Sequence, residues 1–263
     1  MITLGITQFS YGATWEEFLK AAAELGTPAA ELFVYDREVG HLLDNTARIQ
    51  RVRDAARSAG VAIQSLCVTT FSRGPRLYDE DPSVLAEAEG RLISSINTAS
   101  QLGARVVLIP GAPDPTDVAA VERFVNAMRK GAVRATELGV RIGWEQGLGS
   151  EHFLTIADSI GSDAVGDYLD TGNVVGRVGD LPAEIKERQG RIVQVHAKGV
   201  RGVGFDEGTV DLESALRALI TTGYDGYVML ETRAPAHDVA LAMGQNYHAL
   251  QAALTRANAP ATR

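Results

Sequence analysis

Three carboxylates and one imidazole stand at the ends of four short apolar segments in the second half of the sequence. They are Glu145 in IGWEQG, Asp170 in DYLDTGN, His196 in VQVHAKG and Glu231 in VMLETR. Each segment is typical of a β-strand, and the gaps between the four residues are those of successive strand–helix units. Neighbouring parallel strands bring such ends together, and carboxylates buried side by side repel each other strongly without a cation. The pattern therefore predicts a site for one divalent metal ion.

The ligand set is rich in oxygen and contains a single nitrogen. This mixture favours Mn²⁺ first, with Mg²⁺, Co²⁺ or Zn²⁺ as alternatives. A structural zinc site would require cysteines, and the chain has only one, Cys67. Four protein ligands leave about two positions on an octahedral ion, which two adjacent oxygens of a hydroxy-ketone or hydroxy-aldehyde would fill.

Eight apolar segments predict the strands that position these residues. They are short and rich in Val and Ile, and we expect them to be apolar on both faces, as in sheets covered on both sides. The predicted bounds are Ile2–Ile6, Ala30–Val34, Ala62–Val68, Arg105–Ile109, Arg141–Glu145, Val165–Asp170, Ile192–His196 and Gly226–Glu231.

Helical patterns alternate with the strands, and their ends are marked. Thr14 and Glu17 form a predicted capping box, while Asp81 and Asp211 are predicted N-caps. A glycine closes each helix, because glycine readily adopts the left-handed conformation there. The predicted closing residues are Gly26, Gly60, Gly103, Gly139, Gly161, Gly190 and Gly223.

This alternation predicts an α/β protein, a single-domain (β/α)₈ TIM barrel over residues 1–255, with 256–263 as a C-terminal tail. An open, doubly wound sheet is the alternative. The sequence has neither the Gly-x-Gly-x-x-Gly fingerprint nor a phosphate loop of the Gly-x-x-x-x-Gly-Lys-Ser/Thr type, which disfavours nucleotide-binding open sheets.

The composition restricts the partners. A net charge of −8 and the absence of a dense Lys/Arg run disfavour nucleic acid. No apolar run approaches the ~20 residues that span a bilayer, and the N-terminus does not read as a signal peptide. The single cysteine excludes an intrachain disulfide and fits a reducing compartment. We expect a cytoplasmic protein that binds a small molecule, without nucleic-acid or membrane partners.

At these residues the chain resembles the xylose-isomerase-like TIM barrels of the sugar phosphate isomerase/epimerase superfamily, which include keto-sugar 3-epimerases, hydroxypyruvate isomerase and inosose enzymes. The resemblance covers nearly the whole chain and is carried by ITLGITQFSYG, TWEEFLKAAAELG, QLGARVVLIPG, DTGN and VHAKG. It implies that Glu145, Asp170, His196 and Glu231 are metal ligands and that Glu145 and Glu231 are also the acid/base pair. It also implies a possible homodimer or homotetramer.

Further residues are candidate substrate contacts. Glu151 falls where keto-sugar 3-epimerases place a substrate-contacting acid, although a helix-capping role fits equally well. Asn173 stands where those enzymes have a histidine, and Gly202 stands where they have an arginine, which puts a free-ketohexose epimerase in doubt. Lys198 and Arg233 follow strands seven and eight. Lys198 is a candidate to bind a substrate oxygen, and Arg233 to bind a carboxylate or phosphate.

The expected chemistry is proton abstraction beside a carbonyl. A divalent ion stabilises the enediolate, and a glutamate acts as general base. Return of the proton on the opposite face gives an epimer, return to the neighbouring carbon gives an isomer, and loss of a β-hydroxyl gives dehydration. We expect a metal-dependent isomerase or epimerase of keto-sugars or keto-polyols. A lyase or dehydratase on the same scaffold is the alternative. A non-catalytic sugar-binding subunit is disfavoured, because a binder need not keep two bases beside a metal.

Overall fold

Eight parallel strands close into a barrel in chain order, each paired with its sequence neighbours and the first paired with the last. The computed structural model describes residues 1–11, 13–35, 43, 45–205, 208–235 and 237–260. The strands are β1 Thr3–Thr7, β2 Ala29–Val34, β3 Ala62–Val68, β4 Val106–Pro110, β5 Arg141–Glu145, β6 Val165–Asp170, β7 Ile192–Ala197 and β8 Tyr227–Leu230. Every predicted strand is present, with no end displaced by more than one residue. The closed barrel confirms the predicted (β/α)₈ fold.

Helices follow every strand within the described ranges and cover the outside of the barrel. They are α1 Trp15–Glu24, α2 Thr46–Ala59, α3 Pro82–Leu102, α4 Val118–Leu138, α5 Ser150–Ile160, α6 Thr171–Arg177, α7 Leu181–Glu187, α8 Leu212–Thr221 and α9 Val239–Asn258. Short 3₁₀ turns span Gln8–Ser10, Thr69–Ser72 and Val200–Gly202. Thr14 and Glu17 form the predicted capping box, and Asp81 and Asp211 cap α3 and α8. The local sequence therefore sets these helix starts.

The seven predicted closing glycines all have positive φ, from 64° at Gly139 to 82° at Gly103. In this left-handed conformation the amide groups at a helix end turn back onto the last carbonyl groups, and side chains other than glycine are strained. Gly103, for example, donates its backbone N–H to Ala99 and Ser100 at the end of α3. The seven helices that precede strands β2 to β8 thereby stop in a position to lead into the next strand.

The inside of the barrel is less apolar than the sequence suggested. Phe33, Cys67, Leu108 and neighbouring side chains form one apolar cluster, but Glu31 and other polar side chains are also fully buried on these strands. The expectation of strands apolar on both faces is therefore wrong for part of the interior. Successive residues of a strand face opposite sides. Glu31 therefore points into the barrel, whereas the next residue, Leu32, faces the helices and packs in the apolar core.

The last helix extends beyond residue 255, where the sequence placed the start of a tail. Helix α9 runs to Asn258, and Ala257 is buried against the core. Arg256 donates to Glu213 at 2.9 Å, and Arg217 donates to the carbonyl oxygen of Ala259 at 3.1 Å. These contacts with α8 explain why the chain stays helical there. In the described ranges, every helix is too short or too polar to cross a membrane.

Candidate metal centre

The four predicted ligands meet at the carboxyl ends of β5 to β8. Glu145, Asp170, His196 and Glu231 each offer one ligand atom, and these atoms all lie within 4.8 Å of one another. From Nδ1 of His196 the distances are 3.4 Å to Oε2 of Glu231, 3.7 Å to Oε1 of Glu145 and 3.8 Å to Oδ2 of Asp170. The strand spacing read from the sequence thus brings one nitrogen and three carboxylates to a common centre.

Strand register places the ligands at one height. Asp170 is the last residue of β6 and pairs directly with His196 of β7. Glu145 is the last residue of β5, and Glu231 follows the last residue of β8. All four sit where parallel strands end, which is the face of a (β/α)₈ barrel that carries the active site in characterised enzymes.

Asp170 has a second role that fixes its orientation. Its Oδ1 accepts a hydrogen bond from the backbone N–H of Asn173 at 2.8 Å and so caps α6. With Oδ1 held in this way, Oδ2 is directed toward the other ligands. The same turn carries the Asn173 side chain back to the cluster, where Nδ2 donates to Oε1 of Glu145 at 3.3 Å.

Lys198 lies inside the cluster. Its Nζ is 2.6 Å from Oδ2 of Asp170 and 2.6 Å from Oε2 of Glu231. The backbone is held as well, because the N–H of Lys198 donates to Oγ1 of Thr171 at 2.9 Å and that hydroxyl donates back to its carbonyl oxygen at 2.7 Å. With all three carboxylates ionised, one ammonium leaves two negative charges at this level of the barrel, which is the charge that one divalent cation neutralises.

Burial and crowding shift the pKa values of the three carboxylates. Burial raises the pKa of Asp170 to about 8, and repulsion from Glu145 and Glu231 adds to this although Lys198 opposes it. Burial also raises the pKa of Glu231. Burial disfavours ionisation of Glu145 too, but His196 and Lys198 outweigh it and lower its pKa to about 2. Without a further cation, Asp170 and Glu231 therefore resist ionisation beside Glu145.

The imidazole fits a role as a metal ligand. Nδ1 of His196 is buried and has no hydrogen-bond partner in the described part of the chain, although buried polar atoms are nearly always paired. Its three nearest carboxylates are too distant for a hydrogen bond. A cation between these groups would pair the nitrogen and neutralise the oxygens together, so the residues present fit a divalent ion.

A buried carboxylate that the sequence analysis did not single out holds the other side of the imidazole. Oε1 of Glu31, in β2, lies 2.7 Å from Nε2 of His196. Its Oε2 accepts hydrogen bonds of 2.6 Å from Ser65 and from the hydroxyl of Tyr168. Gln194 in turn donates to Ser65 at 2.7 Å and to Tyr168 at 2.6 Å. The one signal in the sequence is a glutamate inside the apolar segment AAELFV.

This polar layer lies directly beneath the ligands. Tyr168 and Gln194 each precede a ligand by two residues and so face the same side of their strands. The ring of Tyr168 packs against the imidazole of His196, with centroids 4.5 Å apart. A Cβ on Gly143 would lie 2.7 Å from Cδ2 of Tyr168, so glycine in β5 gives the ring its space. We conclude that this layer sets the position of the imidazole.

Of the four predicted substrate contacts, some lie at the ligand cluster and others lie away from it. Asn173 and Lys198 touch the ligands, as described above. Glu151 is exposed in the first turn of α5. Arg233 is also exposed, its side chain lies over Gly202, and it lines a cavity of about 1020 Å³ between α8, α9 and the loops before them. The structure therefore brings two of the four candidates to the cluster.

The comparison with protein families gives one match that spans most of the chain. A model of the xylose isomerase-like TIM barrel family matches residues 19–253. By sequence, the chain is 28% identical over 257 residues to L-ribulose-5-phosphate 3-epimerase UlaE of Salmonella paratyphi C, covering 88% of this chain and 87% of that protein. The UlaE protein of Shigella flexneri serotype 5b is 27% identical over 253 residues, with the same coverage.

Solved structures show the same architecture. A structure of L-ribulose 3-epimerase aligns with a TM-score of 0.82 at 18% identity over 100% of both chains. The apo form of 3-keto-D-glucoside 4-epimerase YcjR from E. coli aligns with a TM-score of 0.81 at 16% identity, over 96% of this chain and 100% of that chain. At these identities the likeness shows the fold.

Proposed function

Because the chain belongs to the xylose isomerase-like TIM barrel family and is an enzyme, we propose that it is a divalent-metal-dependent isomerase or epimerase of keto-sugars or keto-polyols. The observation that carries this proposal is the cluster of Glu145, Asp170, His196 and Glu231, in which a buried ring nitrogen faces three carboxylates. The relatives described above are named as epimerases of ketoses or of a keto-glucoside, and these names support the same class of reaction.

The four residues would hold one ion, for which we propose Mn²⁺ first. When bound, the ion supplies Lewis-acid stabilisation of the negative charge that develops on the carbonyl and adjacent hydroxyl oxygens of the substrate as an enediolate. Its ligand set of three carboxylates and one imidazole suits Mn²⁺, Mg²⁺, Co²⁺ or Zn²⁺.

Glu145 and Glu231 are the proposed acid/base pair. They come from β5 and β8, with the two intervening strands between them, so they approach a bound substrate from different sides. In the described ranges, hydrogen bonds reach Oε1 of Glu145 from Asn173 and Oε2 of Glu231 from Lys198. The second oxygen of each glutamate is thereby available for proton transfer with a substrate carbon. One glutamate removes the proton and the other returns it on the opposite face, which inverts the centre.

Lys198 and Asn173 are proposed to bind substrate oxygens beside the two bases. Lys198 keeps its ammonium charged, because the surrounding carboxylates raise its pKa although burial opposes this. A permanent positive charge beside Glu231 stabilises both that carboxylate and a developing oxyanion. Asn173 offers an amide on the Glu145 side. Glu151 and Arg233 are proposed as outer contacts that reach the substrate only through its distal atoms.

The reaction class is tested by NMR in D₂O with Mn²⁺ and a panel that contains L-ribulose 5-phosphate, L-ribulose, D-psicose and an inosose. Epimerisation introduces one deuterium at the inverted carbon without loss of water. Dehydration, the alternative chemistry on this scaffold, gives a product that absorbs in the ultraviolet. The control is Glu87→Gln, an exposed change on α3 that should leave turnover unchanged. Absence of exchange across the panel, with one ion bound per chain, would contradict the proposal.

A further inference from the structure

A cavity of about 480 Å³ opens beside the ligand cluster on its Glu145 side. It is lined by residues 111–115 of the loop after β4, by residues 145–148 at the end of β5, and by Asn173 and Arg177 of α6. Because Glu145 and Asn173 belong to both the cluster and the cavity wall, a sugar held at Glu145 can extend into this space. The cavity is therefore a place for the part of the substrate that does not react.

Arg177 is the one basic residue of that wall. In the described part of the chain no acidic side chain pairs with it, whereas Arg188, Arg191, Arg217 and Arg256 are each within ion-pair distance of a carboxylate. Of the two acids that line the cavity, Glu145 belongs to the ligand cluster, and Oδ1 of Asp114 accepts from the backbone N–H and the hydroxyl of Thr116 at 2.9 and 2.7 Å. Arg177 is exposed at the cavity and has no carboxylate partner among the described residues, so an anionic ligand can reach its guanidinium.

A glycine on the opposite loop leaves room for the side chain of Arg177. A Cβ at Gly147 would lie 2.4 Å from Cδ and 2.5 Å from Nη1 of Arg177. The outer part of the arginine side chain, from Cδ to Nη1, therefore passes directly across the backbone of the loop after β5, so a larger residue at 147 would displace it. This close approach places a charged group of α6 beside the strand end that carries Glu145.

From this arrangement we propose that Arg177 binds a phosphate monoester at the distal end of the substrate, so that the enzyme acts on a phosphorylated ketose. The inference rests on the proposed isomerase or epimerase function and adds the substrate class. A guanidinium presents two parallel N–H groups that match phosphate oxygens, and such charge-assisted hydrogen bonds are stronger than neutral ones. A neutral hydroxyl at the same end would leave the charge of Arg177 without a counter-charge.

The test compares L-ribulose 5-phosphate with L-ribulose as substrates of the Mn²⁺-loaded enzyme. Arg177→Met should lower kcat/KM for the phosphorylated sugar by roughly 10- to 100-fold, mainly through KM, and should leave the unphosphorylated sugar unchanged. Arg177→Lys should recover part of the loss, because charge returns without the paired geometry. Gly147→Ala should reproduce the loss in weaker form by displacing the side chain of Arg177. Arg53→Met, an exposed arginine on α2, is the matched control and should behave as wild type.

Binding of inorganic phosphate tests the role of Arg177 without requiring turnover. Phosphate should bind the wild-type protein in calorimetry and bind Arg177→Met at least about 10-fold more weakly. An equal effect of Arg177→Met on both sugars, or no effect on either sugar or on phosphate binding, would overturn the assignment of Arg177 while the reaction class stands. If the wild-type enzyme exchanges neither sugar, the reaction class fails, and phosphate binding still decides the role of Arg177.

Discussion

Nε2 of His196, on β7, lies 2.7 Å from Oε1 of Glu31, on β2, although the two residues are 165 positions apart in the chain. The hydroxyls of Ser65 and Tyr168 both donate to Oε2 of Glu31, so both oxygens of this carboxylate act as hydrogen-bond acceptors. Nε2 must then carry a proton, so Nδ1 is the ring nitrogen that is left to bind an ion. Partners of this kind commonly set the tautomer and orientation of metal-binding histidines. Glu31 is therefore a positioning residue for the proposed metal site.

Replacement of Glu31 by glutamine should weaken divalent-ion binding by about 10- to 100-fold. The glutamine amide can donate to Nε2, which moves the ring proton to Nδ1 and directs it at the ion site. Calorimetric titration with Mn²⁺ measures the affinity, and thermal unfolding of the metal-free protein reports whether the fold is kept. Ser65→Ala, which removes a donor to Oε2 but leaves Oε1 in place, should weaken binding less. Equal Mn²⁺ affinity in Glu31→Gln and wild type would refute this role.

Removal of divalent ions should lower the melting temperature. An ion that binds only the folded state stabilises it by about 2.7 kcal/mol at a concentration of 100 times its Kd. For a chain of this length each kcal/mol corresponds to roughly 2–4 °C, so a chelator should shift Tm by about 5–10 °C, and added Mn²⁺ should restore it. Calorimetric scans with and without EDTA measure the shift. A melting temperature insensitive to both additions would argue against an ion at the cluster.

Glutamine at either proposed base should separate exchange from inversion. Each of Glu145→Gln and Glu231→Gln should lose epimerisation by at least about 10²-fold, because one proton transfer of the two has no catalyst. Each should still exchange deuterium into one epimer, and the two variants should exchange opposite epimers. NMR in D₂O at saturating Mn²⁺ follows both epimers separately. Retained epimerisation in either variant, or loss of exchange from the same epimer in both, contradicts the two-base assignment.

A buried ion-pair network outside the barrel should be critical for stability. Arg188 is fully buried, donates to Oδ2 of Asp167 at 2.8 Å and also pairs with Glu184. Arg188→Met leaves two buried carboxylates without their cation and should lower the free energy of unfolding by about 3–5 kcal/mol. Urea unfolding measures the loss. Arg57→Met, which removes an exposed ion pair with Asp54, should change stability by less than about 1 kcal/mol. A loss of that small size in Arg188→Met would show the prediction to be wrong.

Much of the fold and the ligand cluster could be predicted from the sequence because both depend on local signals. Strand ends such as Glu145 and Asp170 follow apolar runs, and glycines such as Gly60 mark where helices stop. Once eight alternating units are recognised, barrel closure places the four strand ends at the same height. The ligands were identified because they lie at the ends of such units.

The residues that the sequence did not reveal depend on contacts between distant strands or loops. Glu31 and Ser65 become meaningful only when β2 and β3 are paired and β7 lies across the barrel interior. The sequence did identify Arg233 as a candidate contact because it follows a strand end. Its side chain nevertheless lies over Gly202 and lines the cavity between α8 and α9, away from the ligand cluster. Loop geometry decides that direction, and the strand pattern carries no information about it.

Titration of the metal-stripped protein with Mn²⁺, followed by electron paramagnetic resonance of the unbound ion, tests the shared metal site most directly. We predict one bound ion per chain in the wild type and loss of measurable binding in Asp170→Asn. The asparagine oxygen can still accept from the N–H of Asn173, so α6 keeps its cap. Asp81→Asn, a change at the cap of α3, should bind as wild type. A wild-type protein that takes up no ion, or an Asp170→Asn protein that binds it equally well, would contradict the account.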